Sequence, residues 1–516
     1  MSPVAPQSIG QVIYLGPFLI LVATLLLLLL VDVVARAAGA RNGLGLVGSL
    51  TLGLMGTAAA AGHALYLWYN LGRGDLPASQ QLFISSGATS SHGIAWQAGA
   101  LVTDHFSLLI TLFVCGILAV TSLLLYPHLK RRQLYKAEVY PLLLGSASGM
   151  MLLGMSRDLL ITFIAIEIVS LPLYVLCGLN ERSAVSREAS LKYFLLGAFA
   201  SGFFIYGSSM IYGVVGHLSY AAIKQYSENA IGISPFLMIG VALVGAGLAF
   251  KLALVPFHAW VPDVYQGAPT PLTGFMAAGV KVAVFAAALR VVIEGLQSVN
   301  PDIWRTGLVV FAVASMVVGN LFALHQMSAK RLLAYSAISH TGYLAVGLCA
   351  ATPASANAML VYLVGYSAAV LGSFALIDYL APDGQDDIYL DELNDLSKRA
   401  PVSAMALAIL VFSLAGFPLT LGFIGKLTLF VEAWNVGLFA LVIIAVLNSV
   451  IGVYYYLRFV LAMYMQPKLP GASELQLRRI SAPYLIPVLV TTVVTVGLGV
   501  MPGELLRIIN MAHLGW

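Results

Sequence analysis

The sequence predicts an all-α polytopic membrane protein of about 14 transmembrane helices, with two inverted five-helix repeats and broken helices 7 and 12. Three observations predict it. Of 516 residues, 60% are apolar and 9% charged, whereas water-soluble domains carry about 25% charged residues. Apolar runs of about 20 residues, enough to cross a bilayer, recur from one end to the other. Two of these runs join a proline to a lysine: "LAFKLALVPFHAW" (248–260) and "SLAGFPLTLGFIGKLTLF" (413–430). They lie five helices apart, at helices 7 and 12. Discontinuous helices at matching positions of two halves are a transporter pattern, and odd-numbered repeats must be inverted in the membrane.

The first run, "VIYLGPFLILVATLLLLLLV", lacks a basic n-region and a small-residue cleavage site. It reads as a retained helix over 10–35, not a signal peptide. Helices over 44–70 and 101–126 complete an N-terminal three-helix segment, residues 1–126. Its outer loop, 71–100, mixes Gly and Ser with short alternating runs and fits a β-hairpin. The first repeat, 138–292, holds runs at 138–156, 158–179, 190–215, 235–262 and 268–292. The second, 303–464, holds 303–323, 331–350, 355–380, 402–434 and 437–464. A C-terminal segment, 482–516, carries the last run, 482–508. The connection 381–400, acidic and then basic, reads as a cytoplasmic surface helix.

Basic residues orient the chain. They concentrate after odd-numbered helices, as at Arg36, Arg41, Lys130, Arg131, Arg132, Lys136, Lys398 and Arg399, and thin out on the other side. Both termini therefore face away from the cytoplasm. The net charge of +4 is too small to indicate nucleic acid. Cys115, Cys177 and Cys349 lie in apolar runs and form no C-x-x-C pair, so they read as small packing residues. No nucleotide-binding, haem-attachment or iron–sulfur motif occurs.

Four charges fall deep inside predicted spans: Glu167, Lys251, Lys281 and Lys426. Each costs at least a few kcal/mol at the bilayer centre unless paired or hydrated. A structural ion pair accounts for one lysine and the glutamate, but three lysines leave an unmatched surplus. Groups able to release a proton make sense of it. Burial disfavours an ammonium and a nearby carboxylate restores it. At about 4 Å and an effective dielectric of about 20, the pair is worth roughly 4 kcal/mol. Opening or closing a Glu–Lys pair could thus move a lysine between charged and neutral at about pH 7.

Pro256 and Pro418 supply the helix breaks, tolerable at membrane depth only against protein or water. His258, seven residues beyond Lys251, should lie on roughly the same helix face. His340 sits mid-helix among Ser336, Ser339, Thr341 and Tyr343, where a neutral imidazole relays protons or simply packs with its bonds satisfied. Lys192, at the cytoplasmic start of helix 6, is either an entrance residue or a snorkelling lysine. No second His, Cys or carboxylate stands at metal-ligand spacing.

"FKLALVPFHAWVPDVYQGAPTPLTGFMAAGVKVAVFAAALRV" and "KRLLAYSAISHTGYLAVGL" closely resemble the antiporter-like membrane subunits of respiratory complex I. "DVYQGAPTP", "LPLYVLCGLN" and "GFIGKLTLF" resemble most the N-subunit (subunit 2) type of bacterial NADH–quinone oxidoreductase. The resemblance spans most of helices 4 to 13. It implies that Glu167, Lys251, Lys281 and Lys426 form a hydrated proton-transfer axis driven by quinone reduction elsewhere. The M-type sibling has a glutamate at the helix-12 position, where this chain has Lys426.

The resemblance also implies an inner-membrane location with periplasmic termini, lipid contact, and M-type, K-type and J-type neighbours. NADH, FMN, iron–sulfur clusters and quinone would then be held by partner subunits, with no cofactor in this chain. The alternatives are a subunit of an Mrp-type cation/proton antiporter and an anchoring subunit without its own proton path.

Overall fold

The computed structural model describes residues 12–39, 43–73, 80–88, 95–230, 232, 234–382, 384–467 and 480–512. Among the described residues, twelve helices are long and apolar enough to span a bilayer. They are α1 Ile13–Ala37, α2 Gly45–Arg73, α3 His105–Arg132, α5 Leu159–Cys177, α6 Ala184–Val215, the long arm α7a Pro235–Leu252, α8 Thr270–Leu296, α9 Pro301–Ala323, α10 Ala329–Ala350, α11 Pro353–Leu380, α13 Phe439–Met465 and α14 Ala482–Val500. The shorter α4, Val139–Met155, and a two-part α12, Pro401–Ala415 (α12a) and Leu421–Asn435 (α12b), bring the number to the fourteen expected.

Side-chain caps start several of these helices by satisfying their first free amides. Asp104 accepts the Ser107 amide at 2.8 Å, and the Ser107 hydroxyl accepts the Asp104 amide at 2.9 Å. This capping box starts α3 four residues later than predicted. The intervening residues belong to an antiparallel hairpin, β1 Gln80–Ala88 with β2 Ala95–Thr103, which pairs Gln80 with Thr103. A hairpin is expected within 71–100, and the one formed ends three residues beyond it, at Thr103.

Both broken helices break where expected. α7a stops at Leu252 because Ala253 adopts a left-handed φ of 63°, and helix resumes only at Trp260–Gly267 (α7b). α12a stops before Gly416 (φ 89°), Leu419 is also left-handed (φ 69°), and α12b begins at Leu421. The helix predicted over 482–508 is interrupted as well. α14 ends at Val500, and an amphipathic helix, Gly503–Met511, follows Pro502.

The surface helix predicted over 381–400 does not form as one element. Its residues make a 3₁₀ turn at Leu390–Leu393 and a single α turn at Leu396–Arg399, separated by left-handed Asp395. Tertiary hydrogen bonds outcompete the helix. Ala329 N donates to Ile388 O at 2.8 Å and Leu390 N to Met327 O at 3.0 Å, which straps this segment across the α9–α10 turn.

α8 is buried along its whole length, and α10 and α11 nearly so. The outer helices present apolar side chains such as Leu30, Met55, Phe199 and Val450 outward, a surface suited to lipid or to other membrane helices. Close approach tightens the helix pairs. A Cβ on Gly207 of α6 would stand 2.6 Å from the Gly240 carbonyl of α7a. A Cβ on Gly319 of α9 would stand 2.6 Å from the Ser339 amide of α10. On the side opposite the basic loops, fully buried Arg290 of α8 bonds Asp104 at 2.8 Å and Glu294 at 2.8 Å, and Arg157 completes the pair with Glu294. Two cations meet two carboxylates there, so this end of the central helix is locked without surplus charge.

Candidate functional site

Lys251 lies in the last turn of α7a, 5% exposed. The break lets its side chain reach α5, where Nζ donates to Ser170 Oγ at 2.8 Å and Tyr174 OH at 3.1 Å. Glu167 lies on the same face of α5, one turn before Ser170 and two before Tyr174. Its carboxylate accepts a hydrogen bond from the Ser201 hydroxyl of α6. Glu167 and Lys251 make no direct contact, because the carboxylate turns toward α6 and the ammonium toward hydroxyls. Among the described residues, no carboxylate lies within 4.0 Å of Lys251, Lys281 or Lys426.

Lys281, 4% exposed, follows a π-helical turn at Met276–Val280 within α8, a local widening that often accompanies functional positions. Its Nζ donates to Thr341 Oγ1 at 2.6 Å and to the Ala337 carbonyl, both on α10, and stands 5.1 Å from the Tyr366 ring centre of α11. The Thr341 hydroxyl in turn lies 3.0 Å from the Leu252 carbonyl, next to Lys251. One hydroxyl thus joins the central lysine to the break in helix 7.

His340 continues the line one residue before Thr341. Its Nδ1 lies 2.6 Å from Tyr362 OH and its Nε2 2.9 Å from Tyr456 OH, which pairs onward with the Ser336 hydroxyl. The Tyr366 ring is 4.9 Å from the imidazole and the Tyr343 ring 5.8 Å. Beyond Tyr343, at 5.1 Å from its ring centre, is Lys426. Lys426 Nζ donates to the Leu414 and Ala415 carbonyls at 3.1 and 2.8 Å and to Ser449 Oγ at 3.0 Å. Those carbonyls are the unsatisfied end of α12a, where the helix dipole favours a cation.

The structure therefore brings Glu167, Lys251, Lys281, His340 and Lys426 into one row across the buried centre, and leaves two expected residues off it. His258 does not extend the face of Lys251, because helix stops at Leu252. It sits half-buried in the turn beside Pro256, its Nδ1 without a hydrogen-bond partner. Lys192 is held at the basic end by Glu188 and Asp263, each at 2.6 Å, while Arg331 grips the same Asp263 at 2.8 Å. Pro418 lies in the break that exposes the carbonyls held by Lys426. The sequence reading missed the roles of Ser170, Tyr174, Tyr362, Tyr366 and Tyr456. Tyrosine hydroxyls recurring mid-span in apolar runs were the available signal. Among the described residues, no cluster of three or more His, Cys, Asp or Glu could hold a metal ion.

A family model described as "NADH:quinone oxidoreductase/Mrp antiporter, TM" matches residues 156–452. The NADH-quinone oxidoreductase subunit N of Trichlorobacter lovleyi is 39% identical over 414 residues, covering 80% of this chain and 84% of that one. The chain belongs to the subunit N family of NADH-quinone oxidoreductase. Consistent with this, a chain of the solved respiratory complex I from Thermus thermophilus with bound aureothin is 33% identical, with a TM-score of 0.76. The match covers 95% of this chain and 98% of that one. A chain of the Mrp complex from Dietzia sp. has a TM-score of 0.79 at 22% identity, covering 97% of this chain and 96% of that one, which shows a shared fold. The residues matched by the family model, 156–452, include Glu167, Lys192, Lys251, His258, Lys281, His340 and Lys426.

Proposed function

We propose that this chain translocates protons within the membrane arm of a respiratory NADH–quinone oxidoreductase, with the energy supplied by quinone reduction in other subunits. The observation that carries the reading is the row of three enclosed lysines, each held by hydroxyls, carbonyls and rings instead of carboxylates. A lysine held this way can lose its proton without leaving a buried anion unpaired. Thr341 both receives the Lys281 proton and offers its own to a carbonyl, and His340 stands between two tyrosine hydroxyls. A neutral imidazole has one donor and one acceptor nitrogen, so a proton arriving at one nitrogen releases another from the other.

In this reading Glu167 sets the charge state of Lys251. Lys281 is the middle relay, and Lys426 holds the far end against the α12a carbonyls. Lys192 controls access from its place on Asp263, whose other oxygen Arg331 holds. His258 is a side branch at the helix 7 break. The repeats 138–292 and 303–464 each contribute one broken helix, flanked by the segments 1–126 and 482–516. We place the chain in a bacterial inner membrane with both termini periplasmic, beside M-type, K-type and J-type subunits. NADH, FMN, iron–sulfur clusters and quinone belong to other subunits of the assembly.

The test uses the whole complex reconstituted in liposomes. Lys251→Ala and Glu167→Ala should assemble yet lower donor-driven proton transport per quinone reduced. Normal pumping by either assembled variant overturns the assignment, and failure of assembly with normal residual pumping favours an anchoring role. Sodium- or potassium-driven proton exchange without any redox donor would instead favour the Mrp-type activity.

A further inference from the structure

At the basic end of the bundle, α3, α11 and α14 do not close against one another. They enclose a pocket of about 440 Å³ walled by Tyr126, Tyr379 and Tyr484, with Lys130, Arg131 and Ser481 at its mouth. Tyrosine rings with lysine and arginine above them are the composition expected where a membrane helix meets the headgroup layer.

The pocket is electropositive. Asp378 is fully buried beside it, but its oxygens are already taken. His128 Nδ1 lies 2.7 Å and Arg131 Nη2 2.9 Å from one oxygen, and Tyr484 OH donates to the other at 2.6 Å. Arg131 keeps a buried Nε with no hydrogen-bond partner. Lys130 is exposed, and Ser481 makes no side-chain capping bond at the N-terminus of the 19-residue α14. The exposed Lys130 and a positive helix end thus face the space, and Arg131, its Nη2 already paired with Asp378, adds its free Nε.

Below the pocket, the same three helices and α8 enclose a second, apolar cavity of about 240 Å³ that includes Gly116, Val120, Val364, Leu371 and Val494. A Cβ on Gly116 would meet no atom within 4 Å, so the missing side chain keeps the groove open. From Lys130 to Gly116 the helix descends about 21 Å (fourteen residues). Half the hydrocarbon core is about 15 Å, so the upper chamber and the separate groove beneath it, taken together as one crevice along α3, reach about to the midplane. A cationic chamber above an apolar groove one leaflet deep matches the outline of one lipid.

We propose that this crevice binds an anionic phospholipid, its phosphate between Lys130, Arg131 and the α14 N-terminus and one acyl chain along Gly116. The side is the one rich in lysine and arginine, and basic pockets between membrane helices on that side suit anionic headgroups. The chain would lie against Val282, the neighbour of Lys281, and so seal the buried row from the side.

The experiment extracts the whole complex from vesicles of phosphatidylcholine with a minor share of phosphatidylglycerol and counts retained lipids by native mass spectrometry. Wild type should retain phosphatidylglycerol in preference to phosphatidylcholine. Lys130→Glu and Gly116→Phe should each weaken retention about tenfold, and excess inorganic phosphate should not release it. Equal retention in wild type and Lys130→Glu overturns the proposal, as does equal retention of the neutral lipid. Release by inorganic phosphate would show a simple anion site and also overturns it. Should Gly116→Phe fail to assemble, Lys130→Glu decides alone.

Discussion

Lys281 donates to the Thr341 hydroxyl at 2.6 Å, and the same hydroxyl lies 3.0 Å from the Leu252 carbonyl at the break of helix 7. No other side-chain group between the two lysines makes both contacts in the described structure. Thr341→Val keeps the shape and removes the hydroxyl. Losing a hydrogen bond to a charged group costs about 1.5–3 kcal/mol, so the rate of donor-driven proton transport should fall roughly tenfold or more. Thr341→Ser should restore most of it. Equal transport by the valine and serine variants would remove Thr341 from the path.

His340 makes two short bonds, to Tyr362 OH at 2.6 Å and Tyr456 OH at 2.9 Å. If both hydroxyls act in series, cutting either one interrupts the same path. Tyr362→Phe and Tyr456→Phe should then each depress transport about as much as the double variant does, the non-additivity expected of groups acting as a unit. Transport losses that multiply would mean the two tyrosines serve separate routes, and the relay through His340 would be wrong.

The fold was largely legible because membrane helices announce themselves by length and apolarity. Proline beside buried lysine marked both breaks, since few other arrangements tolerate that combination. The buried charges were legible for the same reason: Lys251, Lys281 and Lys426 stand out against hydrocarbon. Their partners were not. Ser170, Thr341 and Tyr362 are uncharged, cost little to bury, and meet their lysine or histidine only through tertiary placement. His258 was misplaced because helical periodicity was carried across residues 253–259, where the helix has already ended. The strap at 387–390 was misread because its backbone bonds go to a distant turn, which local charge pattern does not report.

Asp158 caps α5 just outside its span, accepting the Leu160 amide at 2.8 Å. Burial pushes its carboxyl above the ordinary carboxylate range, against the opposing pull of the Leu160 and Ile161 amides. A raised folded value means the folded state holds the proton more tightly. Stability should therefore decline as pH rises from the unfolded value, about 3.9, through the raised folded one. Asparagine caps about as well as aspartate and does not titrate. In detergent, Asp158→Asn should flatten this part of the Tm-versus-pH curve and be at least as stable as wild type above the window. A lower Tm for the asparagine variant there would show that the ionised carboxylate is stabilising after all.

Lys281 gives the sharpest test, because arginine separates charge from proton transfer. No carboxylate lies within four positions of it on α8, and its contacts come from Thr341 and Ala337 of α10 and the ring of Tyr366. A purely structural cation at this place would be served by arginine, whose planar head can reach the same hydroxyl and carbonyl. A relay would not, because guanidinium does not deprotonate in proteins. Lys281→Arg should therefore assemble and yet depress proton-coupled turnover strongly, by about the 10²–10⁴-fold typical of a lost proton-transfer group. Lys281→His, which keeps a titratable nitrogen, should retain more. Transport by the assembled arginine variant at the wild-type number of protons per quinone would show that Lys281 holds charge and does not move it.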